Sequence, residues 1–145
     1  MLLRKAQMED ALNALEWRND ETTRMNSFNH EIIKREDHLE WFRRKLNDKA
    51  CFLYILEDEE GPSGSVRIDL TGEVGEISYM IAPEKRGMGY GSEILGLLEK
   101  EITATGVKTL VGFVEKDNKA SGRCFEKNAY TKLTAGDINC FIKNI

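Results

Sequence analysis

The densest chemical signal in the chain is the run Ile81-Ala82-Pro83-Glu84-Lys85-Arg86-Gly87-Met88-Gly89-Tyr90-Gly91-Ser92. An alternating apolar pattern precedes it and stops at Pro83, and a helical pattern carrying Ile94, Leu95, Leu98 and Ile102 follows. The glycines therefore join the end of a strand to the start of a helix. At such a junction the first helical N–H groups have no internal partner, and glycines let an anion come close to them. Arg86 adds a mobile positive charge, so the natural guest is a diphosphate. No Lys-Ser/Thr pair follows the glycines, as a P-loop requires. The loop also follows three consecutive strands and not the first strand of a βαβ unit, which speaks against a dinucleotide fold. Glycines at this spacing equally serve a tight turn and close helix packing, and the loop alone does not separate the two roles. A second element does so: Asn118, 27 residues after Gly91, opens another helix just after another strand, as Asn118-Lys119-Ala120-Ser121 and then Phe125-Glu126-Lys127-Asn128-Ala129-Tyr130.

The elements that must hold these residues follow from periodicity. A short strand near Leu2 to Lys5 leads to a helix from about Met8 to Arg18, with Leu12 and Leu15 on its inner face, and then to a polar stretch from Asn19 to Asn29. Lys34 to Asn47 reads as a helix through Leu39, Phe42 and Leu46, with basic residues crowding its last turn as the helix dipole favours. Cys51 to Leu56, Ser65 to Leu70 and Gly75 to Ala82 read as three successive strands. A helix to about Thr103, a strand from Val107 to Val114, a helix from Asn118 to Lys127 and a hairpin of Tyr130 to Leu133 with Ile138 to Ile142 complete a mixed-sheet α/β pattern.

Composition narrows the function classes. A chain of 145 residues is one domain, spanning 1–145, and buries enough surface for a core without metal or disulfide staples. Its formal charge of −4 comes without a basic stripe, which excludes nucleic acid as the main partner. No apolar run approaches the ~20 residues that cross a bilayer, and the start of the chain has no signal-peptide core, so a cytoplasmic location and no membrane partner are expected. Three dispersed cysteines and two histidines leave no metal site or disulfide framework to expect.

With these residues in place the chain resembles the GNAT family of acyl-CoA N-acyltransferases. Arg86-Gly87-Met88-Gly89-Tyr90-Gly91 matches the family's Gln/Arg-x-x-Gly-x-Gly/Ala loop, and Asn118, Ser121 and Phe125-Glu126-Lys127 match its later helix. The resemblance implies a single GNAT-type domain, with a central mixed but mostly antiparallel sheet flanked by about four helices. It implies acetyl-CoA as cosubstrate and no metal. CoA would be held by the backbone of Met80, Ile81 and Ala82, by the loop residues Arg86, Gly87, Met88, Gly89, Tyr90, Gly91 and Ser92, and by Asn118, Ser121, Phe125 and Lys127. Two positions depart from the family pattern. Phe125 stands where a tyrosine commonly protonates the leaving sulfur, and Asn128-Ala129 stands where a glycine usually precedes the last aromatic. Asn128 is expected to take the left-handed, helix-ending conformation in glycine's place.

Acetyl transfer to an amine needs a neutral nucleophile, a donor to the thioester carbonyl and a fate for the sulfur. Glu76, ten residues ahead of Arg86, stands where family members resembling this chain carry a catalytic glutamate, and partial burial would raise its pKa for proton transfer, directly or through water. A strand-pairing role is the alternative for it. An N–H near Met80 would face the carbonyl oxygen. A thiol of pKa near ~8.5 leaves tolerably as thiolate, and a water held by Ser121 or Asn118 could supply its proton, with Cys124 and Tyr90 as weaker candidates. Arg18, Asn19, His30 and Trp41 are the expected acceptor contacts. Their setting resembles the branch of nucleotide-linked amino-sugar and ribosomal-protein N-terminal acetyltransferases. The expected partner is thus a small-molecule amine, with a nucleotide sugar in view. A protein N-terminal or lysine acetyltransferase and a non-catalytic acyl-CoA-binding module are the alternatives.

Overall fold

The computed structural model describes residues 1–145. In chain order the elements are β1 (Leu2–Lys5), α1 (Ala11–Asn19), α2 (Glu21–Met25), α3 (Arg35–Asn47), β2 (Cys51–Asp58), β3 (Gly61–Thr71), β4 (Val74–Ile81), α4 (Tyr90–Ile102), β5 (Thr109–Glu115), α5 (Lys119–Lys127), β6 (Thr131–Ala135) and β7 (Ile138–Asn144). One sheet takes all seven strands in the order β1-β2-β3-β4-β5-β7-β6. Every neighbouring pair is antiparallel except β4 with β5. The mixed, mostly antiparallel sheet is as expected, with five helices around it in place of about four.

Each face of the sheet has its own apolar cluster, which is why Cys51 to Leu56 of β2 reads as a continuous apolar run. On one face Val66, Ile68 and Ile77 pack with Ile94, Leu95, Leu98 and Ile102 of α4 and Phe125 of α5. On the other, Leu53 packs with Ala11, Ala14 and Phe42 from α1 and α3. The expected inner face of the first helix is therefore wrong. Leu12 is half exposed, and α1 meets the sheet through Ala11, Ala14 and Trp17, because small residues let it lie close to Phe42. Its expected first turn is a 3-10 turn, Met8–Asp10. There both carboxylate oxygens of Asp10 accept from the Arg4 guanidinium at 2.8 Å. The polar stretch after α1 contains a helix, α2, capped by the Asp20 carboxylate accepting from the Thr23 N–H at 3.2 Å.

The parallel pairing is short. It joins Val74–Ile77 to Thr109–Gly112 and then ends, although β4 runs on to Ile81 and β5 to Glu115. Gly112 is the last residue of β5 paired with β4, and the Phe125 ring lies directly against it. A Cβ at this position would stand 2.4 Å from the para carbon of that ring. The ring stacks on Phe141, with centroids 5.1 Å apart and planes 8° from parallel, and meets Tyr130 edge-on at 5.0 Å.

The helix-ending residue also differs from expectation. Asn128 has φ −95°, and its side-chain amide donates to the carbonyls of Ser92 and Cys124, tying α5 to α4. Ala129 takes the left-handed conformation, at φ 66°. A Cβ there is unfavourable, and Ala129 is exposed, so glycine would lose no packing. Ala129→Gly should raise unfolding stability by about 1 kcal/mol, read as a higher denaturant midpoint with an unchanged slope.

Candidate active site

The glycine loop is built as an anion cradle and anchored at both ends. Gly87 and Gly89 have φ 74° and 82°, and nothing lies within 4 Å of where their side chains would be. Gly89 caps α4 and its carbonyl accepts from the Glu93 N–H. The N–H groups of Tyr90, Gly91 and Ser92 thus precede the first bond of the helical ladder. Gly91 has a different reason to be glycine: a Cβ would stand 2.8 Å from the Cys124 sulfur, so it sets the close approach of α4 to α5. Asp58, at the end of β2, holds both flanks. Its carboxylate accepts from Lys85 at 2.8 Å and from the Tyr90 hydroxyl at 2.7 Å. The hydrogen bonds from Lys85 and then Tyr90 hold the Asp58 carboxyl well below the usual carboxylate range. The Tyr90 hydroxyl is thereby engaged away from the loop, leaving its backbone N–H for a ligand.

A cavity of about 580 Å³ opens at this loop, lined by Lys85, Arg86, Arg123 and Lys127 with no carboxylate among its lining residues. Ile81, Gly87, Gly89, Tyr90 and Gly91 also line it, whereas Met88 projects outward and Ala82 is buried beneath. Ala82 donates its N–H to the Ser63 carbonyl, so the expected contact from its backbone is excluded. Arg86 donates to Asp20 and Thr23 of the α1–α2 corner.

Strand alternation decides which backbone groups face the gap left where β4 parts from β5. The Glu73 carbonyl, before β4, accepts from Lys108 and Thr109 on the β5 side, whereas the Ala82 N–H turns to β3. The Met80 carbonyl also turns to β3, since a Cβ on Gly64 would lie 2.8 Å from it. Residues of odd number thus present their N–H and C=O to β5. Beyond Ile77 no strand pairs with that edge, and the open groups belong to Tyr79 and Ile81. Met80 is therefore not the donor expected of it; its amide lies within the β3–β4 ladder, opposite Ser65.

A second cavity of about 570 Å³ lies on the α1–α3 side. The two cavities meet at Tyr79, Met80, Asn118 and Ser121, and along Thr23, Asn26 and Ser27 at α2 and just after it. At this junction the Tyr79 and Ser121 hydroxyls are 2.9 Å apart, and Asn118 caps α5 by accepting from the Ser121 N–H at 3.3 Å. Burial, reinforced by Cys124, raises the Tyr79 pKa far above its ordinary value, so this phenol keeps its proton. Tyr79 escaped the sequence reading because its place in an alternating strand looked like core.

The remaining expectations divide. Glu76 is exposed, lies opposite Asp69 and lines neither cavity. The burial that would have tuned it as a base is absent. Asn19 and His30 are also corrected. The Asn19 side-chain amide exchanges two hydrogen bonds with the Ile33 backbone, at 2.8 and 2.9 Å, and His30 is exposed outside both cavities. Arg18 and Trp41 do line the second cavity. His38 joins them, buried on α3 with its Nε2 on the Ala11 carbonyl at 2.9 Å and its pKa lowered mainly by burial. No group of three or more His, Cys, Asp or Glu side chains is placed to hold a metal. No helix is long and apolar enough to cross a membrane.

Known proteins agree with this architecture. The family model for an acetyltransferase (GNAT) domain matches residues 1–131, and the chain belongs to that family. The uncharacterized N-acetyltransferase YfmK of Bacillus subtilis is 34% identical over 92 residues, 63% of this chain and 62% of that protein. The chain thus spans somewhat under two thirds of that relative. In fold, it superposes on a ribosomal-protein-alanine N-acetyltransferase of Brucella melitensis at TM-score 0.85, with 21% identity over all of both chains. A spermidine N-acetyltransferase of Vibrio cholerae, solved with CoA and spermine, gives 0.87, with 16% identity over 98% of this chain and 94% of that one.

The cradle's two aspartates should act on CoA binding in opposite directions. Asp20→Asn keeps the α2 cap but removes a competitor for Arg86, and the CoA Kd should fall about threefold. Asp58→Asn loosens both flanks of the loop, and the Kd should rise by roughly tenfold. Calorimetric titration of both variants checks the pair.

Proposed function

We propose that this chain is an acetyl-CoA-dependent N-acetyltransferase that acts by direct attack of a small-molecule primary amine. The observation that carries this reading is the meeting of a basic, carboxylate-free cavity with a second cavity at the unpaired end of β4. The residues fit CoA. The N–H groups of Gly87 through Ser92 suit the diphosphate, whereas that of Arg86 is spent on the Pro83 carbonyl, and Lys127 and Arg123 suit further phosphate charge. The backbone of Tyr79 and Ile81 suits an extended pantetheine arm laid along the open strand edge. Acetyl-CoA supplies the acetyl group as a thioester.

The Tyr79 N–H takes over from Met80 as the donor to a carbonyl oxygen. The Tyr79 hydroxyl, hydrogen-bonded to Ser121, stands at the junction of the cavities and hydrogen-bonds a departing thiolate. Ser121 positions this phenol, and Asn118 caps the start of α5. Phe125 contributes shape alone. No buried carboxylate serves the amine, so its proton leaves to water and the rate should rise with pH until the acceptor is neutral. Of the four expected acceptor contacts only Arg18 and Trp41 line the cavity, which leaves a nucleotide-linked amino sugar with little to hold it.

CoA release in the presence of acetyl-CoA and a panel of primary amines tests the function. Bound acetyl-CoA without amine-dependent release would leave a binding module. Tyr79→Phe should lower kcat by on the order of 10- to 100-fold with CoA affinity kept, and adding Phe125→Tyr to that variant should recover part of the loss. Glu76→Gln should change kcat/KM by less than about threefold at neutral pH. A much larger loss would return Glu76 to the mechanism.

A further inference from the structure

We infer that the acceptor carries an anionic oxygen group, a carboxylate or phosphonate-type oxyanion, beside its amine, and that Arg18 and Arg67 receive it. This deepens the acetyltransferase reading and rests on it. The acceptor-side cavity is lined by three arginines, Arg18, Arg44 and Arg67, against one carboxylate, Asp37. Its histidine, His38, is shifted toward the neutral form by burial.

Two of the arginines present more donor capacity than the protein itself uses. Arg67 lies with its guanidinium carbon 5.0 Å from the centre of the Trp41 ring, which fixes its plane. Its Nε donates to Asp69 at 2.8 Å and its Nη2 to the Ser78 hydroxyl at 3.2 Å. Asp69 also accepts from Lys45 at 2.8 Å, so one carboxylate answers two cations. Arg18 donates its Nη2 to the Asn29 carbonyl at 2.8 Å, but its Nη1 is enclosed with no acceptor at all. Arg24 adds like charge nearby, acting after burial in lowering the Arg18 pKa. An enclosed charged donor without a partner is costly, and an oxyanion is the ligand that relieves it. Phe28, Trp41 and Phe113 give the same cavity apolar walls for the body of the acceptor. A polycation such as the spermine bound by the Vibrio cholerae neighbour would meet like charge here.

The test is a matched set of acceptors: methionine and phenylalanine, their amides, their aminophosphonate counterparts, and spermidine. The acids or phosphonates should exceed the amides and spermidine at least tenfold in kcat/KM, mostly through KM, and the better of the two names the anion. Arg67→Gln and Arg18→Gln should each remove most of that preference, lowering kcat/KM further for the acids or phosphonates than for the amides, and Arg67→Lys should keep part of it. Amides or spermidine used equally well would overturn the inference and leave the acetyltransferase standing. If no amine is acetylated, that reading fails instead. The inference is then judged by calorimetric binding of N-acetylmethionine against N-acetylmethioninamide to wild type and Arg67→Gln. Equal affinities would overturn it, and an acid preference lost in the variant would sustain it.

Discussion

The parting of β4 from β5 is the constraint on which the site depends. Parallel pairing stops at Ile77 and Gly112 while both strands continue, leaving backbone donors and acceptors on β4 without a strand to meet them. Such groups want a partner. An extended ligand arm can supply one only if the gap stays open, and the aromatic stack of Phe125, Phe141 and Tyr130 fills the space beside Gly112 with a rigid body. Function at this site thus rests on incomplete sheet formation held in place by ordinary core packing.

Cationic side chains outnumber carboxylates on both sides of that gap. Every charged residue lining the loop side is basic, and Asp58 reaches both flanks of the glycines, with Glu60 sharing its hold on Lys85. Arg86 crosses from the loop to Asp20, at the corner between α1 and α2, so the residue that best meets a diphosphate also touches the segment bordering both cavities. Arg86 thus ties the glycine loop to the start of α2 through one ion pair and one hydrogen bond.

The usual tyrosine of α5 is replaced by phenylalanine, and a different tyrosine reaches the same region from the neighbouring strand. Tyr79 points to the α4–α5 face, where Ser121 meets its hydroxyl and Phe125 lies edge-on at 6.0 Å. Gly91 completes this arrangement, because any side chain there would press on Cys124 and lie against the Tyr79 ring. The hydroxyl is thus held by two helices and a strand, an order that a surface tyrosine would lack.

What the sequence determined by itself is what local spacing encodes. Alternation marked the strands, apolar recurrence marked α3 and α4, and glycines between a strand and a helix marked the loop, since each pattern reflects a short-range repeat or a backbone conformation. The tertiary structure decided everything that needs two distant segments to meet. Asp10 with Arg4 replaced a helical first turn, small alanines outcompeted Leu12 and Leu15 for the sheet, and Ala129 took the strained conformation while Asn128 bridged to Ser92. Strand register, which changes the outward groups at every residue, turned the Met80 amide into the β3–β4 ladder and left that of Tyr79 at the open edge. Burial left Glu76 in solvent and drew His38 inward. Residue type states what chemistry a side chain can perform; pairing partner and depth from water decide whether it is placed to perform it.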